Sequence, residues 1–384
     1  MCKSKSIAVR KLTPLLALLL LLSQTTVATG PAKTKEPRIQ IALLLDVSNS
    51  MDGLIDQAKA QLWKIVNDMS SMQQNGDDAK LEIALYSFGD DRLRSEDGYI
   101  QQWTPFTGDL DLISEKLFSM TTSGGDEFCG WTIQDALAEL QWTNNFSDLK
   151  MIVIAGNESF AQGAVDYKKS STESIQKNVI LNTIFCGNCE EGQRLFWEDA
   201  AIRGQGKYMC IDQNKKIAHI PTPYDSLIND KNQKLNDTYL GYGQFGKERK
   251  MMQLKQDENA EDYDMAYMTE RSISKSKKVY NNASWDVLDK YEENEDYVLT
   301  LDDEDLPAEL RGLTYEKKKA YLNKLKDKRK QIQKEIGDLS IKRQLFVDDY
   351  HKEQAKSGVK SLDEIMLSLI REQASEKGFT KEID

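Results

Sequence analysis

The feature that most limits the fold is a succession of short apolar runs separated by amphipathic stretches, starting at Arg38. Residues 39–45 are apolar except for Gln40, the pattern of a parallel strand buried on both faces. Residues 54–69 place Leu54, Ile55, Ala58, Leu62, Ile65, Val66 and Met69 at helical spacing. Further strands are predicted at 81–88, 151–155, 179–186 and 207–212, with a short edge strand at 98–106. Helices are predicted between them at 109–120, 132–141, 162–177 and 191–203. Strands joined by helices of this length need parallel crossovers. Residues 37–240 therefore read as an α/β domain with a doubly wound, mostly parallel sheet.

After Pro221 and Pro223 the charge rises and glycine becomes rare, and residues 241–384 read as an α-helical C-terminal region. A helix at 224–235 still packs on the first domain, and a polar helix follows at 247–281. Residues 286–305 are acidic and read as loop, and 314–350 reads as one long amphipathic helix. In that helix Leu322, Leu325, Ile332, Ile336, Leu339, Phe346 and Tyr350 fit a heptad, with Arg329 and Arg343 at two a positions. The helix is either an oligomerisation coil or folds back on its neighbours, and the two arginines weigh against the coil. A last amphipathic helix is expected at 362–370.

Composition removes several functions. Acidic residues outnumber basic ones by 62 to 51, so the phosphate backbone of a nucleic acid is repelled. Two histidines exclude His-rich metal sites, which leaves oxygens and sulfurs as ligands. There is no Gly-rich phosphate loop and no Gly-x-Ser-x-Gly turn. No Ser/His pair is brought together either, since His219 and His351 lie far from any other candidate, and no catalytic residue is expected. Lys3, Lys5, Arg10 and Lys11 precede the apolar run 15–22 and then Thr26-Val27-Ala28. That is the layout of a signal peptide (residues 1–28) cut after Ala28, and it implies a periplasmic or secreted protein. The run is shorter than the roughly 20 residues needed to span a membrane. Cys2 lies before the run, and Cys129, Cys186, Cys189 and Cys210 remain after it. Four cysteines in an exported chain favour disulfides, over free thiols or a redox or metal role for Cys186-Gly187-Asn188-Cys189.

The densest chemistry is Asp46-Val47-Ser48-Asn49-Ser50, between the first strand and the first helix. In an open α/β sheet, ligands bind beyond the carboxyl ends of the strands. One carboxylate and two hydroxyls at alternate positions there aim hard oxygens at one point, a set suited to Mg²⁺. The same residues could instead cap the helix. Asp-x-Ser-x-Ser at this junction, with this order of elements over about residues 38–212, resembles the von Willebrand factor type A (VWA) domain. In that Rossmann-like fold the motif opens the metal-ion-dependent adhesion site (MIDAS).

The resemblance implies a divalent ion (Mg²⁺, or Ca²⁺ or Mn²⁺) and a protein partner whose acidic side chain completes the site. The chain departs from the family in two loops. Where Gly-Gly-Thr is usual it has Gly124-Gly125-Asp126-Glu127, so Asp126, Glu127 or Thr132 could supply the oxygen, and Glu127 is preferred. Where Thr-Asp-Gly is usual it has Ala155-Gly156-Asn157-Glu158, so Asn157 or Glu158 could substitute. The expected metal set is Asp46, Ser48, Ser50, Glu127 and Glu158. If Asp46, Glu127 and Glu158 all reach the ion, three carboxylates oppose a dication and the site no longer draws an acid. If one acid joins Asp46, the open position survives. These loops also imply a Cys129–Cys186 disulfide bracing the site, leaving Cys189 with Cys210. Besides an adhesion or interaction module, the sequence leaves open a scaffold with a degenerate site and contacts made by the helical tail, or a metal-dependent hydrolase.

Overall fold

The computed structural model describes residues 36–212, 220–354 and 362–381, with only the backbone described for 60–61, 351–354 and 362–366. The leader expected at 1–28, Cys2 and His219 lie outside the described residues. Residues from Glu36 onward form one compact unit.

Its centre is a six-stranded sheet. In chain order the strands are β1 (Arg38–Asp46), β4 (Lys80–Phe88), β5 (Ile100–Thr107), β6 (Leu149–Gly156), β7 (Ile180–Cys186) and β8 (Gln205–Ile211). They lie in the order β5-β4-β1-β6-β7-β8, and only β5 is antiparallel to its neighbour. The run read as buried on both faces is the central strand, with β1 paired to β4 on one side and to β6 on the other. One face is covered by α3 (Cys129–Glu139), α4 (Tyr167–Gln176) and α6 (Trp197–Arg203). The opposite face is covered by α1 (Asp52–Met69) and α2 (Leu110–Ser119). The fold is thus α/β with a mostly parallel sheet, followed by a helical C-terminal region.

That region adds a second layer over α1 and α2. It consists of α8 (Gly246–Tyr263), α9 (Met265–Lys275), α10 (Val287–Glu293), α11 (Glu295–Leu299), α12 (Tyr315–Gln354) and α13 (Leu362–Glu376), with α7 (Asp225–Asn236) of the preceding segment packed on α9 and α12. Ile228, Ala260, Tyr267, Ile336 and Ile370 join the same apolar core as Leu45, Trp63 and Met151. Arg329 and Arg343 explain why α12 folds back. Each is buried on an acidic partner of another element, Arg329 on Asp286 (2.8 Å) and Asp289 (2.6 Å), and Arg343 on Asp225 (2.8 Å) and Glu270 (2.6 Å). Around and after Arg343, Ile341, Leu345, Phe346 and Tyr350 are exposed.

Arg271 of α9 is fully buried as well. Its guanidinium reaches Asp111 (2.7 Å) and Asp257 (2.6 Å), donates to the Gln253 carbonyl (2.9 Å), and lies over the Trp63 ring. Burial pushes Asp257 up, but Lys275 and Arg271 outweigh it and hold the carboxyl well below its ordinary value.

Three departures from the predicted elements have local causes. The helix expected at 191–203 is two, α5 (Cys189–Arg194) and α6, because Phe196 takes a left-handed φ of 71° between them. The polar helix at 247–281 breaks at Asp264, which is extended and accepts from the Ala266 amide as the cap of α9. The acidic stretch read as loop contains α10 and α11, since Asp286 and Asn294 are their caps rather than solvated loop residues. A small second sheet was not foreseen. It pairs β2 (Met72–Gln74) with β3 (Asp77–Asp78) and with β9 (Phe379–Lys381).

Candidate metal centre

The chain adds β4 and β5 on one side of β1, then returns to build β6, β7 and β8 on the other. The loops leaving β1 and its neighbours therefore diverge over the end of β1, the switch point at which such sheets bind ligands. Asp46 is the last residue of β1 and is fully buried there. The Ser48 amide donates to Asp46 Oδ1 at 2.7 Å, which curls the loop so that the Ser48 and Ser50 hydroxyls lie 3.3 Å apart. Asn157, from the loop after β6, donates its Nδ2 to Ser50 Oγ at 3.0 Å. Asp46 Oδ2 and Asn157 Oδ1 are buried, and neither has a hydrogen-bond partner among the described residues. Orphaned buried oxygens are costly, and two beside a pair of hydroxyls are what a hard cation would satisfy.

Glycines make the room. Gly156 ends β6, and a Cβ there would stand 2.9 Å from Asp46 Oδ2 and 3.1 Å from the Trp197 ring. Gly89 follows β4 with φ +80°, and a Cβ there would stand 3.1 Å from both Asp46 Oδ1 and Glu127. Gly125 lies against the Gly89 backbone, where a Cβ would come within 2.8 Å. Gly156→Ala is expected to displace the Asp46 carboxylate and weaken any Mg²⁺ affinity of this site about tenfold or more while the protein stays folded. Calorimetric titration beside a far-ultraviolet circular dichroism spectrum reads both, and unchanged affinity would show that the carboxylate does not need this space.

Of the residues expected to form the site, Asp46, Ser48, Ser50 and Glu127 come together. Glu127 is buried, its amide donates to Gln162 Oε1 at 3.2 Å, and its side chain lies beside Asp46, both meeting the space over Gly89. Burial, then the Asp46 charge, pushes Glu127 far above the ordinary carboxyl range, and burial pushes Asp46 up as well. Without a cation, two buried acids in contact must retain a proton. Glu158 is exposed, its carbonyl accepts from Trp197 Nε1 at 2.7 Å, and it reaches Glu127 only as a neighbouring charge. Asp126 is exposed, whereas Thr132 is buried in α3 and donates to the Phe128 carbonyl at 3.0 Å. No three His, Cys, Asp or Glu side chains gather at one point among the described residues. In the sequence, Gly125 and Gly156 stand out only as members of the two departing loops and Gly89 not at all, although Gly89 and Gly156 directly follow or end strands flanking β1.

Cys189 and Cys210 are joined by a disulfide with a Cα–Cα distance of 5.4 Å, which ties α5 to β8. The Cys129–Cys186 disulfide expected beside it does not form, and both thiols are free and buried. Strand alternation is the reason. Cys186 points into the α1 side of the sheet, whereas Phe185 before it and Cys129 lie on the α3 side, so the sheet separates the two sulfurs. An open cleft of about 660 Å³ lies elsewhere, between Thr107 and Asp109 and the helices α10 and α11. Its charges are already paired, Lys290 with Glu293 (3.1 Å) and Asp109 with Arg249 (3.0 Å).

No protein-family model matches the chain, and no curated protein matches it. Solved structures to which it is similar include the SpRpn10 VWA domain (17% identity, covering 50% of this chain and 94% of that one, TM-score 0.32). Another is a von Willebrand factor type A protein from Catenulispora acidiphila (14% identity, 46% and 39%, TM-score 0.34). A third is proximal thread matrix protein 1 from the mussel byssus, with a zinc-occupied MIDAS motif (14% identity, 46% and 41%, TM-score 0.34). At this distance the neighbours assign no residue a role, and the site stands on the chain's own geometry.

Proposed function

We propose that this is an exported VWA-type protein that holds a divalent cation at a divergent MIDAS-type site and binds a protein partner through that face. The observation that carries the reading is the pair of partnerless buried oxygens, Asp46 Oδ2 and Asn157 Oδ1, at the switch point beside Ser48, Ser50 and Glu127. The donor set is all oxygen, which fits Mg²⁺, Ca²⁺ or Mn²⁺ and disfavours softer ions. Asp46 and Glu127 would provide the charge, and Ser48 and Ser50 the neutral ligands. Asn157 and Glu158 would complete the shell directly or through water. When bound, the ion would supply positive charge that fixes three loops in one arrangement. The Cys189–Cys210 disulfide supports an oxidising compartment, in keeping with the basic and apolar leader. Among the described residues, no helix is long and apolar enough to cross a membrane.

The test is calorimetric titration of Mg²⁺, Ca²⁺ and Mn²⁺ into the full chain and into Asp46→Ala. Removal of the one carboxylate at the strand end is expected to weaken binding about a hundredfold or more. Equal affinity in the two proteins would end the cation reading. It would leave the alternative of a scaffold with a degenerate site, favoured by one observation, the exposed apolar residues Ile341, Leu345, Phe346 and Tyr350 on α12.

A further inference from the structure

The mouth of the Asp46 site is strongly acidic. The loops at 47–51, 89–99, 120–128 and 157–166 carry eight acidic residues and two basic ones. Both cations are already engaged, Arg92 with Asp90 (2.7 Å) and Arg94 with Glu96 (3.2 Å) and Asp97 (3.8 Å). Asp91, Asp126 and Glu158 are exposed and form no ion pair among the described residues. Hydrogen bonds fix Asp91 and the loop that carries Glu158. The Asp91 amide donates to the Gly124 carbonyl, its carboxylate accepts from Ser123 Oγ, and Asn157, next to Glu158, holds Ser50. Asp126 precedes the buried Glu127.

A second, independent observation lies beneath the rim. Asp46 is fully buried with Oδ2 unpartnered, and Glu127 is buried in contact with it. A dication held there keeps an open position but is balanced by two carboxylates, and the rim of carboxylates around that opening repels an incoming acid.

We propose that the partner presents a basic segment, with Lys or Arg side chains, to Asp91, Asp126 and Glu158, rather than the acidic side chain that the family resemblance implies. This rests on the cation-holding reading of the same site. The ion's part is to hold the three loops together, and the rim carboxylates do the recognising. Such a surface steers its partner by long-range attraction, so binding weakens as salt rises.

The experiment titrates the full chain in Mg²⁺ buffer with two peptides of equal length, one alternating Lys and Gly and the other Glu and Gly. The Lys peptide is expected to bind, more tightly at low than at physiological salt, and the Glu peptide not to bind. The combined change Asp91→Asn, Asp126→Asn and Glu158→Gln is expected to weaken the Lys peptide about tenfold. Glu316→Gln, Asp327→Asn and Asp338→Asn together make the same charge change on exposed positions of α12, and are expected to leave affinity within about twofold. Preference for the Glu peptide would overturn the proposal, as would an equal loss from both triple variants, which marks diffuse attraction. The cation reading fails separately, if Asp46→Ala keeps its Mg²⁺ affinity.

Discussion

Arg271→Ala is expected to lower the free energy of unfolding by about 3–5 kcal/mol, because it strips one partner from a buried ionic network. Asp111 is buried with Arg271 as its cation, and Tyr280 donates to the other carboxylate oxygen. Asp257 keeps Lys275, Asn232 and Asn236 after the change. Asp111 keeps one phenol and no cation, so most of the loss arises there. Arg271→Lys should recover only part of it, since one ammonium cannot reach two carboxylates and a carbonyl with the fork that Arg271 uses. Denaturant unfolding measures this directly, and a loss under about 1 kcal/mol would show that water reaches Asp111 once the guanidinium is gone.

Glu127→Gln should stabilise the cation-free protein at pH 8 and leave it unchanged at pH 5. Both Glu127 and Asp46 titrate above their ordinary values when folded. The native state then keeps protons that the unfolded chain has released, so stability falls as pH rises from the ordinary carboxyl range through the folded-state values. Glutamine mimics the protonated acid at every pH and removes this loss. The gain at pH 8 is expected to be on the order of 2 kcal/mol, since each tenfold change in proton affinity is worth about 1.4 kcal/mol. Saturating Mg²⁺ should reverse the order, because a cation replaces the shared proton and binds more tightly as pH rises. Melting curves of both proteins at the two pH values, with chelator and with Mg²⁺, give the four comparisons. A variant less stable than wild type in chelator at pH 8 would mean that Glu127 is held as a needed anion.

The sheet was legible because its strands declare themselves locally. Residues 39–45 are apolar on both faces, which only a central parallel strand requires, and the helices between strands leave one way to connect them. The Asp46 loop was legible because its chemistry is contiguous, and Glu127 because the loop before α3 is acid-rich. What was not legible depends on partners distant in sequence. Arg329 and Arg343 read as interruptions of a heptad because Asp286 and Asp225, which neutralise them, lie 43 and 118 residues away. Asp286 and Asn294 read as loop residues because a cap and a solvated acid look alike until the helix after them is seen. The Cys129–Cys186 pairing failed on a single alternation, since both cysteines sit at the correct end of the sheet but on opposite faces.

Asp111 and Arg271 are 160 residues apart in the chain. During synthesis the strands from β1 to β8 emerge before the residue that neutralises this carboxylate exists. Until α9 is made, Asp111 has no cation to pair with and keeps its water. Full neutralisation of that face therefore waits on a helix made well after the whole sheet.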